Sequence, residues 1–259
     1  QAFAVFKEGT HACIQPIGDF CTKMINDAGQ QQSCSEDLTP EQEYIQGLIG
    51  EYNSLVEDFT YSTPHPEGAE ERGMRLLNIE SELNGFWRKK SRELVPENSP
   101  EPIVDDFVEG GRYLSSGTAG VAGWLRNQGR YEEAINIVYG QVTDRHLSTL
   151  RKLSHGYAFE VLLNNGLGSF LDSGDESHIG LAMDIVNIVE SIGGVTSGMA
   201  CYTFACVLAR SGATERALAY AQRAVEGGER IEDLMNDTDL ISLRSVPGFL
   251  NLYREKAAA

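Results

Sequence analysis

Three stretches of this 259-residue chain resemble one another closely enough to constrain its fold. Each places an alanine early in an amphipathic helical pattern and follows it with aliphatic or aromatic residues; they are residues 129–138, 177–186 and 212–221. Ala182 and Ala217 are 35 positions apart, and Ala134 and Ala182 are 48 apart, which is one period plus an insertion. A period in the mid-thirties with a helix–turn–helix pattern is typical of a helical solenoid.

The best developed of these repeats covers residues 199–225. Leu208 falls on its first helix, Gly212 in its turn and Ala217 on its second helix. This pattern resembles the tetratricopeptide repeat family, and the resemblance spans residues 115–253. The resemblance implies antiparallel helix pairs stacked as a solenoid, with the first helix of each pair lining a concave groove.

Two parts of this region need separate description. The middle repeat departs from the family pattern, because its turn at residues 172–176 is longer and the helix before it is poorly defined. After the last repeat, residues 236–249 resemble the closing segment that follows the repeats in many such proteins. Asp237 or Asp239 can cap a short helix there, while apolar side chains cover the exposed end of the core. These apolar residues are Leu240, Leu243 and Phe249.

The amino-terminal half has a different pattern. Thr39 and Gln42 form a capping box, and the apolar stripe that follows predicts an amphipathic helix of about 20 residues. A proline-containing break precedes a second long helix at roughly residues 67–94. The sequence thus predicts an all-α chain with an irregular arm over residues 1–37, a helical region over 38–110, and tetratricopeptide-like repeats with a terminal capping segment over 111–259.

A run of small residues precedes the first repeat. Gly117, Gly120 and Gly123 recur every three residues. A phosphate-binding loop would require a Gly-Lys-Ser/Thr sequence after such a run, and none follows. The spacing therefore favours a helix face that another helix approaches closely.

The charge of the chain excludes one class of partner. Its formal net charge is −17, and the first 110 residues contain 21 acidic and 8 basic residues, a balance of −13. Such a field repels phosphate backbones and anionic lipid headgroups, so we expect no nucleic-acid partner. No apolar stretch approaches the roughly 20 residues that span a bilayer, so we expect no direct membrane span.

The cysteines indicate in which cellular compartment the protein is located. Cys13, Cys21 and Cys34 cluster in the predicted arm, where two of them are candidates for a disulfide. Their spacing matches no common structural zinc site, so we predict no metal site. The chain begins with Gln1 rather than Met, as expected of a processed or trimmed product. Together these features favour an exported, periplasmic or organelle-lumen protein over a cytoplasmic one.

The family resemblance assigns the partner-binding side chains to the first helices of the pairs. The candidates are Arg126, Asn127, Tyr202, Cys206 and Arg210. If the chain binds an acidic partner segment, both arginines should point into the groove, free of intramolecular carboxylates. On the alternative interpretation they are helix-end cations, and Arg210 pairs with Glu215 or another neighbour.

No catalytic constellation and no cofactor motif stands out in the sequence. The sequence therefore predicts a protein–protein interaction scaffold, acting as an accessory or assembly subunit of a larger complex, including a membrane-attached one. The alternative is a soluble adaptor that binds peptide segments in a concave groove. A remote alternative is a helical enzyme with an unrecognised site.

Overall fold

The computed structural model describes residues 39–61, 67–94, 116–143 and 157–257. This part of the chain is all-α, as predicted, and contains ten α-helices, two short 3-10 helices and no strand. The α-helices are α1 (Pro40–Tyr61), α2 (Ala69–Leu94), α3 (Ser116–Asn127), α4 (Tyr131–Val142), α5 (Tyr157–Ser173), α6 (Ile179–Ser191), α7 (Gly198–Arg210), α8 (Thr214–Glu226), α9 (Ile231–Asn236) and α10 (Pro247–Ala257). The 3-10 helices are Glu176–His178 and Ile241–Ser245.

Contacts divide the chain into two compact units. Among the described residues, the first unit comprises α1, α2, the start of α3 up to Val121, and residues 157–158. The second comprises the rest of α3 from Ala122, α4, and residues 159–257. The division by contacts therefore falls inside α3, whereas the sequence predicted a boundary between residues 110 and 111.

The start of α1 confirms the predicted capping box. The Thr39 amide donates to Gln42 Oε1 at 2.8 Å, and the Gln42 amide donates to Thr39 Oγ1 at 3.3 Å. These reciprocal bonds satisfy two amides that lack an intrahelical acceptor. The local sequence was therefore sufficient to place this helix start.

Most of the apolar stripe of α1 is buried, but Tyr44 is exposed and Ile49 is half-buried. Leu48, Tyr52, Val56 and Phe59 lie in the core of the first unit, as the helical spacing predicts. Tyr44, which the same spacing placed on the stripe, is 54% exposed. Its hydroxyl donates to Glu82 on α2 at 2.6 Å, so the ring lies at the edge of the helix pair instead of inside it.

The glycine run of α3 confirms the predicted close approach of helices. A Cβ atom added at Gly120 would lie 3.1 Å from the Cβ of Phe59 in the first unit. In the second unit, a Cβ atom added at Gly123 would lie 2.9 Å from the side-chain Nδ2 of Asn165. Glycine at these two positions leaves room for neighbouring atoms that occupy the space of a side chain.

Three helix pairs, α3–α4, α5–α6 and α7–α8, follow one another along the chain, and each pair has a glycine with positive φ in its turn. The φ angles are 72° at Gly129, 64° at Gly174 and 79° at Gly212. This left-handed conformation favours glycine because it lacks a Cβ atom. The turn of the middle pair thus contains a left-handed glycine, as the turns of the other two pairs do.

The first helix of the middle pair was hard to recognise because it contains two glycines. Gly166 and Gly168 lie within α5, where helix propensity alone disfavours them. A Cβ atom added at Gly166 would lie 2.6 Å from the Cβ of Val138 on α4. The glycines therefore mark a helix crossing and not the irregular segment that the sequence suggested.

The alanines of the repeat occupy the crossings that their common position predicts. Ala134, Ala182 and Ala217 are each 0% exposed, on α4, α6 and α8 respectively. Helix α4 contacts α6, and α6 contacts α7, so consecutive pairs pack against one another. A larger side chain at any of these positions would have to displace a neighbouring helix.

We expect Ala217→Leu to lower the free energy of unfolding by about 1–3 kcal/mol, because the added atoms overpack a filled crossing. The matched control is Ala219→Leu, on the same helix but exposed. Urea unfolding of both variants tests this expectation. Equal stability of the two variants would contradict the packing assigned to Ala217.

The closing segment, residues 236–249, covers the end of the second unit. Leu240, Leu243 and Phe249 are each 0% exposed, which confirms that they are core residues. Its 3-10 helix contacts α7 and α8, and α10 contacts α8. Its start is held by a turn in which the Asp239 amide donates to Asp237 Oδ1 at 2.8 Å.

Candidate functional site

The five predicted partner-binding residues lie on two helices of the second unit. Arg126 and Asn127 end α3, and Tyr202, Cys206 and Arg210 share one face of α7 because they are spaced four residues apart. The structure links each arginine to α5. It also links all three residues of α7 to the closing segment. Asn127 is exposed, and its side chain forms no hydrogen bond with any other described residue.

Arg126 is paired with a carboxylate of its own chain. Its Nε lies 2.5 Å from Asp172 Oδ2, and its Nη1 donates to the carbonyl oxygen of Asn164 at 3.3 Å. The guanidinium fits there because residue 168 is glycine, whose missing Cβ atom would overlap it. The prediction that Arg126 is free of intramolecular carboxylates is therefore wrong.

Arg210 is held still more tightly. Its Nη2 lies 2.5 Å from Glu176 Oε1, and its Nη1 lies 3.6 Å from Asp239 Oδ1 and donates to the carbonyl oxygen of Leu171 at 3.2 Å. The guanidinium also stacks 4.4 Å from the ring centre of Phe170, and only 11% of the side chain is exposed. The prediction of a free Arg210 is also wrong.

The carboxylates that hold the two arginines come from distant parts of the sequence. Glu176 lies 34 residues before Arg210, and Asp172 lies 46 residues after Arg126. The alternative of local pairs was right that both cations are paired. It did not identify the acceptors, because it considered Glu215 and other sequence neighbours. Both arginines link one helix pair to the next.

Asp237 joins the closing segment to α7 through its Oδ2 atom and bonds within the closing segment through its other oxygens. The Tyr202 hydroxyl donates to Asp237 Oδ2, and the Cys206 Sγ lies 3.8 Å from the same oxygen. Arg244 Nη2 donates to the Asp237 carbonyl oxygen at 2.9 Å. The sequence identified Asp237 only as a possible helix cap. Its spacing from Asp239 did not indicate a contact with α7.

Cys206, Asp237 and Asp239 form a cluster of acidic groups in which burial and mutual repulsion raise the pKa of Cys206 and of Asp239. Burial, and then the neighbouring Asp237 carboxylate, raise the pKa of the Cys206 thiol. Burial and Asp237 likewise raise the pKa of the Asp239 carboxyl group, while Arg210 opposes the shift. Cys206 is therefore a protonated thiol at neutral pH, which makes it a poor nucleophile.

The same three residues offer the types of ligand atom that a metal site uses. Their ligand atoms, one thiol sulfur and two carboxylate oxygens, all lie within 4.8 Å of one another. However, Asp237 accepts hydrogen bonds from Tyr202 and from its own turn, and Asp239 faces Arg210. These bonds show that the three residues attach the closing segment to α7.

A buried glutamate that the sequence analysis missed fixes the start of α7. Glu160 on α5 is 5% exposed, and its Oε1 accepts the amide of Thr196 at 2.6 Å and the amide of Ser197 at 3.2 Å. Ser197 in turn caps α7 through the Ala200 amide at 3.2 Å. The first turn of α7 is therefore tied to the preceding pair.

Two of the five cysteines lie among the described residues. Cys13, Cys21 and Cys34 lie outside the described residues, so the disulfide candidates stay predictions. Cys201 and Cys206, both on α7, are free and buried. Within the described ranges, no helix combines the length and the apolar character needed to cross a bilayer.

We expect Arg210→Ala to lower the free energy of unfolding by about 1–3 kcal/mol, because it leaves Asp239 and the Leu171 carbonyl group without their cation. The Glu176 contact contributes less to this loss, since that carboxylate is 62% exposed. The matched control is Arg230→Ala, whose side chain is 73% exposed. A stability loss no greater than that of the control would reopen the possibility that Arg210 serves a ligand.

Comparisons of the chain with protein-family models, with curated proteins and with solved structures found no match.

Proposed function

We propose that this chain is a protein–protein interaction scaffold that acts as an accessory or assembly subunit of a larger complex. The observation that supports this proposal best is the series of side-chain bonds between consecutive helix layers of the second unit. A scaffold requires a surface whose geometry is fixed before the partner arrives, because every group ordered on binding reduces affinity.

The bonds occur at each step of the series. Arg126 joins α3 to α5 through Asp172, and the Thr203 hydroxyl joins α7 to α5 through the Asn164 side-chain oxygen at 2.5 Å. Asp237 then joins the closing segment to α7. Arrays of helix pairs held in this way present extended binding surfaces, and the resemblance to tetratricopeptide repeats agrees with such a role.

The accessory-subunit proposal is favoured over a groove adaptor. An adaptor that clamps an acidic peptide would use Arg126 and Arg210, but Asp172, Glu176 and Asp239 already satisfy both cations. A partner carboxylate would have to displace these intramolecular ion pairs. The binding free energy would then be only the difference between the new ion pair and the one that it replaces.

The charge of α1 indicates the chemistry of the partner surface. This helix has five acidic residues and no basic residue over its 22 positions. Three of the acids pair with cations of α2, namely Asp58, Glu51 and Glu41. Glu43 and Glu57 are exposed and form no ion pair with any other described residue. A partner protein with a basic surface, in a soluble or a membrane-attached complex, would complement this helix.

Affinity purification of the tagged chain from its native source tests the proposal. We expect one partner assembly at fixed stoichiometry, measured by native mass spectrometry. Many substoichiometric partners would instead support the adaptor. We further expect the double variant Glu43→Lys/Glu57→Lys to lose the complex, because it replaces the two unpaired acids of α1 with cations and reduces the charge of the helix from −5 to −1. The control Glu132→Lys/Glu215→Lys makes the same charge change at exposed positions of the second unit. Equal retention by both variants would exclude α1 as the docking helix.

A further inference from the structure

A second buried glutamate, Glu80, attaches the start of α3 within the first unit. Glu80 lies on α2 and is 1% exposed. Its Oε2 accepts the Tyr52 hydroxyl of α1 at 2.8 Å and the Gly117 amide at 2.7 Å. Its Oε1 accepts the Thr118 amide at 3.2 Å and the Thr118 hydroxyl. One carboxyl group therefore connects three helices, and we call this arrangement the Glu80 clasp.

The clasp replaces acceptors that a helix cannot provide for itself. The first amides of an α-helix have no carbonyl partner within the helix, and Gly117 and Thr118 are two of these. The carboxyl group comes this close because residue 117 is glycine, since an added Cβ atom would lie 2.6 Å from Glu80 Oε2. Exchange of these amides with water therefore reports directly on whether the clasp is closed.

Glu80 is a buried acid whose observed partners are hydrogen-bond donors. The residue forms no ion pair within the described part of the chain. Tyr52 is the titratable group that faces it from α1, and α3 contributes a hydroxyl group and two amides. Removing an unpaired carboxylate from water is costly, and hydrogen bonds offset only part of that cost.

We propose that the Glu80 clasp is proton-sensitive, holding the first turn of α3 against α1 and α2 more firmly when its carboxyl group is protonated than when it is ionised. A protonated carboxyl group keeps Oε2 for both amides, because the Thr118 amide also lies 3.3 Å from Oε2. Its Oε1 then donates to the Thr118 hydroxyl, which reverses its role from donor to acceptor. Protonation thus removes the buried charge without leaving the amides unsatisfied.

The direction follows from linkage between protonation and opening. Burial raises the pKa of Glu80 from 4.5 to about 7, although its hydrogen bonds act in the opposite direction. Opening the clasp exposes the group to water and returns its pKa to the ordinary value. The closed clasp therefore binds the proton more tightly than the open one. Its opening constant rises by up to roughly tenfold per pH unit between those two pKa values and is constant above the higher one.

Amide hydrogen exchange of Gly117 and Thr118, detected by nuclear magnetic resonance, tests the proposal on the full chain. After correction for the intrinsic pH dependence of exchange, we expect protection of both amides to fall by up to roughly tenfold per pH unit from about pH 5 to 7 and then to level. In Glu80→Gln the profile should be flat, because the amide side chain does not titrate. A flat profile in the unmodified chain would overturn the proposal, as would a slope that persists in Glu80→Gln.

Two further variants separate the clasp from a general effect on folding. Glu160→Gln removes a buried glutamate that holds a helix start in the second unit, and it should leave the slope at Gly117 and Thr118 unchanged. Tyr52→Phe removes one donor to the ionised form, so it should move the levelling point to higher pH. This arm decides the question even if Glu80→Gln does not fold, because an unmoved levelling point would contradict the assignment to Glu80.

Discussion

Phe249→Ala is expected to lower the free energy of unfolding by about 3–5 kcal/mol, one of the two largest effects that the structure predicts. The side chain of Phe249 is 0% exposed, and α10, which carries it, packs on α8. Truncation to alanine leaves a cavity at the end of the second unit, where the closing segment seals the core. Urea unfolding monitored by circular dichroism measures the loss.

The control for this experiment lies in the same closing segment. Ile241 is 63% exposed, so Ile241→Ala removes a similar apolar group without opening a cavity. We expect this variant to unfold within about 0.5 kcal/mol of the unmodified chain. Similar losses in the two variants would show that the closing segment is not anchored through Phe249.

Gly227→Ala should lower the free energy of unfolding by about 3 kcal/mol, the second large effect. The added Cβ atom would lie 2.7 Å from the Cα and 2.8 Å from the amide nitrogen of Gly198. Both atoms belong to the backbone at the start of α7, so no side-chain rotation can relieve the overlap. The end of α8 would have to move away from α7.

The same substitution elsewhere should have the opposite sign. Gly180 lies in α6 with no atom within 4 Å of an added Cβ, so Gly180→Ala improves helix propensity without a clash. We expect this variant to be more stable by about 0.5–1 kcal/mol. If Gly227→Ala were also stabilising, the close approach of α7 and α8 at Gly198 would be disproved.

The features that the sequence predicted correctly are those that depend on local spacing. The capping box of Thr39 and Gln42 depends on residues three positions apart, and the burial of Ala217 depends on helical period. The core positions of the closing segment followed from the same kind of pattern. Such signals can be read in one sequence because the interacting groups are neighbours along the chain.

The features that were missed depend on contacts between distant residues. Glu80 lies 37 residues before Gly117, and a glutamate in an amphipathic helix ordinarily predicts a solvated position. Arg210 was assigned to a ligand because its true acceptor could not be recognised in the sequence. That acceptor, Glu176, belongs to a different helix pair. Gly166 weakened the helical pattern of α5 because its packing partner, Val138, lies on another helix. No spacing rule within one segment reveals these pairings.

The two buried cysteines of α7 give the second unit an internal reporter of its own unfolding. Burial raises the pKa of both Cys201 and Cys206, so neither is a thiolate at neutral pH in the folded chain. Alkylating reagents attack the thiolate, and they would reach these sulfurs only when α7 separates from its neighbours. Peptide mapping distinguishes them from Cys13, Cys21 and Cys34. The rate at which the two positions are alkylated therefore measures how often this part of the chain opens, without any introduced label.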